Sequence, residues 1–83
     1  MNANLKTELD IIYNIHQENV KSTFIKERLE QTKKSYEREY DALVNDLIKK
    51  SNEYNLVNNK DVEDYIKSLS EKSNFTFKNL LDS

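Results

Sequence analysis

SYEREYDALVNDLIKKSNEYN, residues 35–55, is rich in charged side chains, yet its large apolar residues recur at regular intervals. These residues are Tyr36, Tyr40, Leu43, Leu47 and Tyr54, at steps of four, three, four and seven. Steps of three and four place side chains on one face of an α-helix, whereas a half-buried strand alternates residue by residue. The spacing predicts a helix with a narrow apolar stripe, and that stripe needs a second helix to pack against.

The stripe continues upstream, first through Leu29 and Ile25 and then, after a change of register, through the N-terminal residues. The N-terminal part of the stripe contains Leu5, Leu9, Ile12, His16 and Val20. The chain has no Gly and no Pro, the residues that most often interrupt a helix. One continuous helix from about Leu5 to Tyr54, bent between Val20 and Ile25, is therefore predicted. It would be roughly 75 Å long, a length typical of a coiled coil.

The segment NEYNLVNNKD, residues 52–61, is predicted to separate the long helix from a second one. Asn tolerates the left-handed backbone conformation and can end a helix where Gly usually would. We expect the second helix to begin at Asn59 or Asp61 and to continue to about Lys72, with Thr76 capping a final helical turn.

The predicted fold class is all-α, with a long coiled-coil helix in residues 1–56. Residues 57–83 are predicted to form a short helical region that packs on this helix or on a partner. Tyrosine suits a partly wet interface, because its ring buries a large area while its hydroxyl stays at the edge. We expect a homo- or hetero-oligomer whose partner interface comprises Ile25, Leu29, Tyr36, Tyr40, Leu43, Leu47, Tyr54, Phe75, Phe77, Leu80 and Leu81.

Composition argues against several kinds of catalytic and cofactor site. The 83-residue chain has no Cys for a disulfide, a thiolate metal site or a nucleophile, and no Gly for a phosphate-binding loop. His16 is the only histidine, and no suitably spaced ligand or catalytic partner accompanies it. The acidic group Asp61, Glu63 and Asp64 suits the positive end of a helix dipole. We therefore predict no enzymatic activity, no cofactor, no metal and no direct small-molecule substrate.

The charge pattern also bears on partners and location. Thirteen basic and fifteen acidic residues give a net charge of −2, and the two signs are interspersed. Nucleic-acid binding favours a basic face without matching acids, so direct binding to DNA or RNA is not expected. No apolar run reaches the length of a membrane span or a signal segment. We expect a soluble, intracellular protein that does not bind membranes.

DLIKKSNEYN, residues 46–55, and YIKSLSEKSNFTFKNLLD, residues 65–82, carry a family resemblance. They resemble the small subunit of the eukaryotic recombination-mediator heterodimer, which assists strand-exchange recombinases in DNA repair and meiosis. Tyr54 and Asn55 match the family's Tyr-Asn pair, and Ile48 matches the aliphatic residue before it. The remaining matched positions are Ile66, Leu69, Glu71, Thr76, Leu80 and Asp82.

This resemblance implies a nuclear, non-catalytic subunit that forms a coiled coil with a larger partner, with a recombinase as a possible further partner. The sequence departs from the family directly after the Tyr-Asn pair. The family continues with an acid, an aliphatic residue, a base and Asp, whereas this chain has Leu56, Val57, Asn58 and Asn59. The departure lies where the first helix is predicted to end.

A second functional hypothesis needs no such resemblance. The same stripe could pair with itself in a homo-oligomeric assembly chaperone, or in a small regulatory or inhibitor protein of phage or bacterial origin. Such a protein would be cytoplasmic and would bind its client through the apolar residues of the tail: Phe75, Phe77, Leu80 and Leu81. Both hypotheses describe a helical adaptor that acts through protein–protein contacts.

Overall fold

The computed structural model describes residues 1–82, which form three α-helices. Helix α1 spans Ala3–Thr23, α2 spans Leu29–Glu53 and α3 spans Lys60–Asp82. A 3₁₀ turn, Lys26–Arg28, precedes α2, and no strand occurs in this range. The predicted all-α class is confirmed. The molecule measures 43 × 18 × 17 Å along its principal axes, much shorter than the roughly 75 Å of a continuous fifty-residue helix.

The predicted continuous helix is interrupted between α1 and α2, so residues 1–56 form a helical hairpin instead. Phe24 and Ile25 both have extended backbone angles. The Thr32 hydroxyl donates to the Ile25 carbonyl at 3.1 Å and accepts from the Ile25 amide at 2.9 Å. This two-way bond satisfies polar backbone groups at the interruption, so neither Gly nor Pro is required. The interruption coincides with the change of register between Val20 and Ile25.

Helix α2 ends as the sequence predicts, at an asparagine in the left-handed conformation. Asn55 has φ = 59°. The Leu56 amide donates to the Ser51 carbonyl and the Asn55 amide donates to the Asn52 carbonyl, both at 2.9 Å. These two bonds are those of a Schellman motif, which satisfies the last carbonyls of a helix.

Helix α3 begins at the predicted place but does not end there. The Asn59 side-chain oxygen accepts from the amides of Asp61 at 3.0 Å and Val62 at 3.3 Å. The helix then continues without a break to Asp82, so the predicted end near Lys72 and the separate turn capped by Thr76 are wrong. The interior positions after Leu69 include serines, Ser70 and Ser73, which remain buried and helical although they are polar.

Replacing Asn59 with Ala is expected to lower the free energy of unfolding by about 1 kcal/mol, because the first amides of α3 lose their acceptor. Urea unfolding followed by far-UV circular dichroism measures the loss. Replacing the exposed neighbour Asn58 with Ala is the matched control. Equal losses in the two variants would contradict the capping role of Asn59.

The core forms two clusters along the bundle. The larger one joins residues from all three helices: Leu5, Leu9, Tyr13, Leu43, Leu47, Val62, Ile66 and Leu69. The smaller one contains Val20, Tyr36 and Phe77, with Phe24, Tyr40 and Leu81 packed against it. The apolar stripe therefore finds its partner helices within the same chain.

Candidate functional site

The eleven residues of the predicted partner interface do not lie on one surface. Four of them, Tyr36, Leu43, Leu47 and Phe77, are buried against the chain's own helices. Another group is half-buried: Tyr40, Tyr54, Leu80 and Leu81. The remaining three, Ile25, Leu29 and Phe75, are exposed. In this fold the core residues of the stripe are not available to a partner, so a partner could contact only the half-buried and exposed members of the set.

One free apolar surface within residues 1–82 is a groove between α2 and α3, with a volume of about 380 Å³. On α2 it is lined by Tyr40, Val44 and Ile48, which follow one another at steps of four. Ile48 is 40% exposed although its neighbour Leu47 is fully buried. The full lining is Tyr40, Val44, Ile48, Val57, Glu63, Ile66, Lys67 and Ser70. We call this surface the α2–α3 groove.

The α3 wall of the α2–α3 groove adds charged groups to the apolar floor. Glu63 and Lys67 have opposite signs and lie one helical turn apart on α3. Ser70 donates its hydroxyl hydrogen bond to the Ile66 carbonyl at 2.9 Å. The groove therefore offers an apolar strip with one acid and one base on its rim, which suits a helix face better than a polar substrate.

Sequence analysis identified only Tyr40 among the groove residues as interface. The signal for the others was present, because Val44 and Ile48 continue the step of four from Tyr40 beside the main stripe. Recognising this line as a groove wall requires knowing that α3 packs alongside it. The sequence pattern does not contain that placement.

A second arrangement of functional side chains joins α1 to α2 and has His16 at its centre. The His16 Nδ1 atom lies 2.7 Å from a Glu39 carboxylate oxygen, and its Nε2 atom lies 2.9 Å from an Asp46 carboxylate oxygen. His16 is only 8% exposed. Sequence analysis placed His16 on the stripe but missed both partners, because their approach depends on the hairpin.

The pKa of His16 follows from two opposing influences. Burial is the largest one and lowers the pKa, because it disfavours the charged imidazolium. The hydrogen bonds to Glu39 and Asp46 together outweigh burial, so the pKa of His16 is raised above its ordinary value. Two hydrogen bonds to carboxylates require both ring nitrogens to carry a proton.

Two tyrosines, one at the end of α2 and one on α3, donate hydrogen bonds to carboxylates on α1. The Tyr54 hydroxyl donates to Glu8, and the Tyr65 hydroxyl donates to Asp10. The hydrogen bond to Glu8 is the main cause of the raised pKa of Tyr54, whereas burial is the main cause of the raised pKa of Tyr65. These contacts anchor α1 to the end of α2 and the start of α3.

The described residues show no arrangement typical of a metal centre or a membrane span. No group of three or more His, Cys, Asp or Glu in residues 1–82 is placed to hold a metal ion. Over the same range, no helix combines the length and the apolar character needed to cross a bilayer. The Glu39 and Asp46 carboxylates each bond to His16 instead.

Comparison with protein-family models, curated proteins and solved structures finds no significant match to this chain. The resemblance to a recombination-mediator subunit therefore stays a prediction. The Tyr54–Asn55 pair that carries it has a local role here, because Tyr54 and Asn55 form the C-terminal end of α2.

Proposed function

We propose that the protein is a non-enzymatic helical interaction subunit that assembles with a second copy of itself through the α2–α3 groove. The observation that carries this proposal is the groove itself: an open apolar strip beside a core that is already closed. Soluble helices normally bury such a strip, and a strip rimmed by polar residues marks an interaction site. Residues Tyr40 to Ile48 span about 12 Å of helix, or two turns.

The rim charges favour a second copy as the occupant. A twofold axis perpendicular to α3 between Glu63 and Lys67 would run the two α3 helices antiparallel. Each Glu63 would then face the Lys67 of the other copy, so two opposite-charge pairs form from a single surface. Interfaces of this isologous kind are the commonest in homo-oligomers.

Replacing Ile48 with Glu is expected to abolish self-association, because it places a charge in the apolar strip twice per dimer. Sedimentation equilibrium over a range of protein concentrations measures the effect. Since two helical turns form a small interface, we expect a reversible, concentration-dependent dimer for the natural chain. The matched control is Ile15→Glu, since Ile15 is 55% exposed on α1 and outside the groove. This control should dimerise normally.

A charge exchange tests the orientation of the two copies. Glu63→Lys alone should weaken the dimer, since it opposes two like charges across the axis. Combining Glu63→Lys with Lys67→Glu should restore it, because both pairs are again of opposite sign. Far-UV circular dichroism checks that each variant remains helical. A natural chain that stays monomeric at every concentration would contradict the self-association proposal.

A role as accessory subunit to a strand-exchange recombinase is the more specific version of this class. It rests on the resemblance of residues 46–55 and 65–82 and requires a different, larger subunit as partner. Affinity purification from the native host tests it. Recovery of a second coiled-coil subunit together with a recombinase would support it, and recovery of only the chain itself would leave the self-associating subunit.

A further inference from the structure

We propose that His16 acts as a proton-dependent clamp, which holds α1 against α2 only while its ring carries a proton on both nitrogens. The geometry carries this inference. Each nitrogen lies within hydrogen-bond distance of a different carboxylate, and both carboxylates come from α2, seven residues apart. His16 comes from α1, so a single side chain bridges the two arms of the hairpin. We call these three residues the His16 clamp.

Removing one proton from the His16 ring replaces one hydrogen bond of the clamp with a repulsive contact between two acceptors. A neutral imidazole has one N–H donor and one lone pair. The lone pair would face a carboxylate oxygen at 2.7 or 2.9 Å, where two acceptors repel each other. A change of tautomer cannot remove this conflict, since a carboxylate stands at each nitrogen. Either a carboxylate has to take up a proton or one side of the clamp has to open.

The two sides of the clamp are not equivalent. The Glu39 side chain is 25% exposed, whereas the Asp46 side chain is 53% exposed. Water screens an exposed ion pair more strongly than a buried one. The bond to Glu39 is therefore expected to contribute more to holding the proton, and the bond to Asp46 is the one that opens more readily.

Other charged groups lie near the clamp on α2 and α3. On α2, Lys49, Lys50 and Glu53 border the same small cavity as Asp46. Lys50 pairs with Glu53 at 2.6 Å and lies 3.9 Å from Glu8 of α1. On α3, the Lys72 amine lies 5.2 Å from the centre of the Tyr13 ring, one turn before His16 on α1. Glu39 forms an ion pair with His16, and so does Asp46.

The sign of the pH effect follows from the direction of the His16 pKa. Burial alone would lower the pKa of His16, but the hydrogen bonds to Glu39 and Asp46 raise it above the value in the unfolded chain. The folded state then binds the proton more tightly than the unfolded state. The stabilisation is complete below the unfolded pKa of about 6.5. It is lost as the pH rises through the folded pKa, so the hairpin weakens above that pH.

Nitrogen-15 NMR of the ring tests the clamp directly, because the chain has a single histidine and its signals need no assignment. The expected result is a titration midpoint above the ordinary value of about 6.5, with both ring nitrogens protonated below that midpoint. The free energy of unfolding should fall as the pH rises through it. Glu39→Gln should lower the midpoint more than Asp46→Asn does. A midpoint at or below the ordinary value would overturn the proposal.

His16→Gln provides the second readout, since glutamine is polar but does not titrate near neutrality. Urea unfolding at a series of pH values should show the fall in stability through the His16 midpoint for the natural chain and not for this variant. An identical fall in both would assign the pH dependence to other groups and would overturn the clamp. If His16→Gln does not fold, the Glu39→Gln and Asp46→Asn midpoints still decide the question. Groove mutations lie on the α2–α3 side, so Ile48→Glu should leave the His16 midpoint unchanged.

Discussion

Replacing Leu47 with Ala is expected to lower the free energy of unfolding by roughly 2–5 kcal/mol. Leu47 is fully buried in the larger core cluster, among residues from all three helices. Truncation removes apolar contacts and leaves a cavity that the surrounding helices can fill only in part. Small domains have little stability in reserve, so this single change should remove a large share of it.

Urea unfolding of Leu47→Ala measures this loss. Repeating it at several protein concentrations shows whether Leu47 packs within its own chain or against a second chain. If Leu47 packs within its own chain, the loss should be the same at high and low protein concentration in the Ile48→Glu background. The control is Ile11→Ala, since Ile11 is 52% exposed on α1 and should change stability by no more than about 0.5 kcal/mol. A loss that varies with concentration would indicate that Leu47 lies in a seam between chains.

Replacing Phe77 with Ala is expected to cost roughly 3–5 kcal/mol. Phe77 is 7% exposed and its ring is stacked on Tyr36, with 3.9 Å between centroids and 2° between planes. The stack joins α3 to α2 in the smaller core cluster. Its loss would also disturb the Tyr36 hydroxyl, which bonds to Ser73 and Asn74 on α3.

Phe75 supplies the matched control for Phe77. The two residues have the same side chain and lie two positions apart on α3, but Phe75 is 66% exposed. Phe75→Ala should therefore change stability by about 0.5 kcal/mol or less. Thermal unfolding followed by circular dichroism compares the two variants. A larger loss for Phe75→Ala than for Phe77→Ala would mean that α3 is rotated relative to its place in this bundle.

Local features of the fold could be predicted from the sequence, because their causes are local. Apolar residues at steps of three and four predict the helices. The end of α2 at Asn55 and the start of α3 at Asn59 follow from asparagine side chains, which suit left-handed and capping positions. The interruption after α1 is different. The change of register predicted a bend there, but not a complete break. The break depends on Thr32 reaching back seven residues to Ile25, and a hydroxyl at that distance gives no sequence signal.

The length of α3 was underestimated for a physical reason. Its interior face continues through Ser70 and Ser73, which are buried but not apolar. Ser70 bonds to the Ile66 carbonyl of the preceding turn, and Ser73 accepts from the Gln17 side chain on α1 at 2.8 Å. Small polar residues allow helices to approach closely, and a search for large apolar residues does not detect that role.

Both candidate sites depend on how the helices pair, and periodicity alone does not determine pairing. A stripe shows which face of a helix is buried but not whether the partner helix belongs to the same chain. Glu39 and Asp46 meet His16 only because α1 folds back on α2. The α2–α3 groove exists only because α3 lies beside Val44 and Ile48.

The distance between the two ends of the α1–α2 hairpin tests most directly whether the chain closes its own core. Spin labels on Thr7→Cys and Asn52→Cys would be site-specific, because the chain has no Cys of its own. Glu8 and Tyr54, next to these positions, are in hydrogen-bond contact, and packed helix axes lie about 8–10 Å apart.

Pulsed electron paramagnetic resonance of the doubly labelled chain, diluted with unlabelled protein, gives the distance within one molecule. The hairpin predicts a short distance, below roughly 30 Å with the label arms included, that persists on dilution. A continuous helix would separate the two positions by roughly 68 Å. A distance of that length, or a short distance that disappears on dilution, would contradict the closed three-helix bundle.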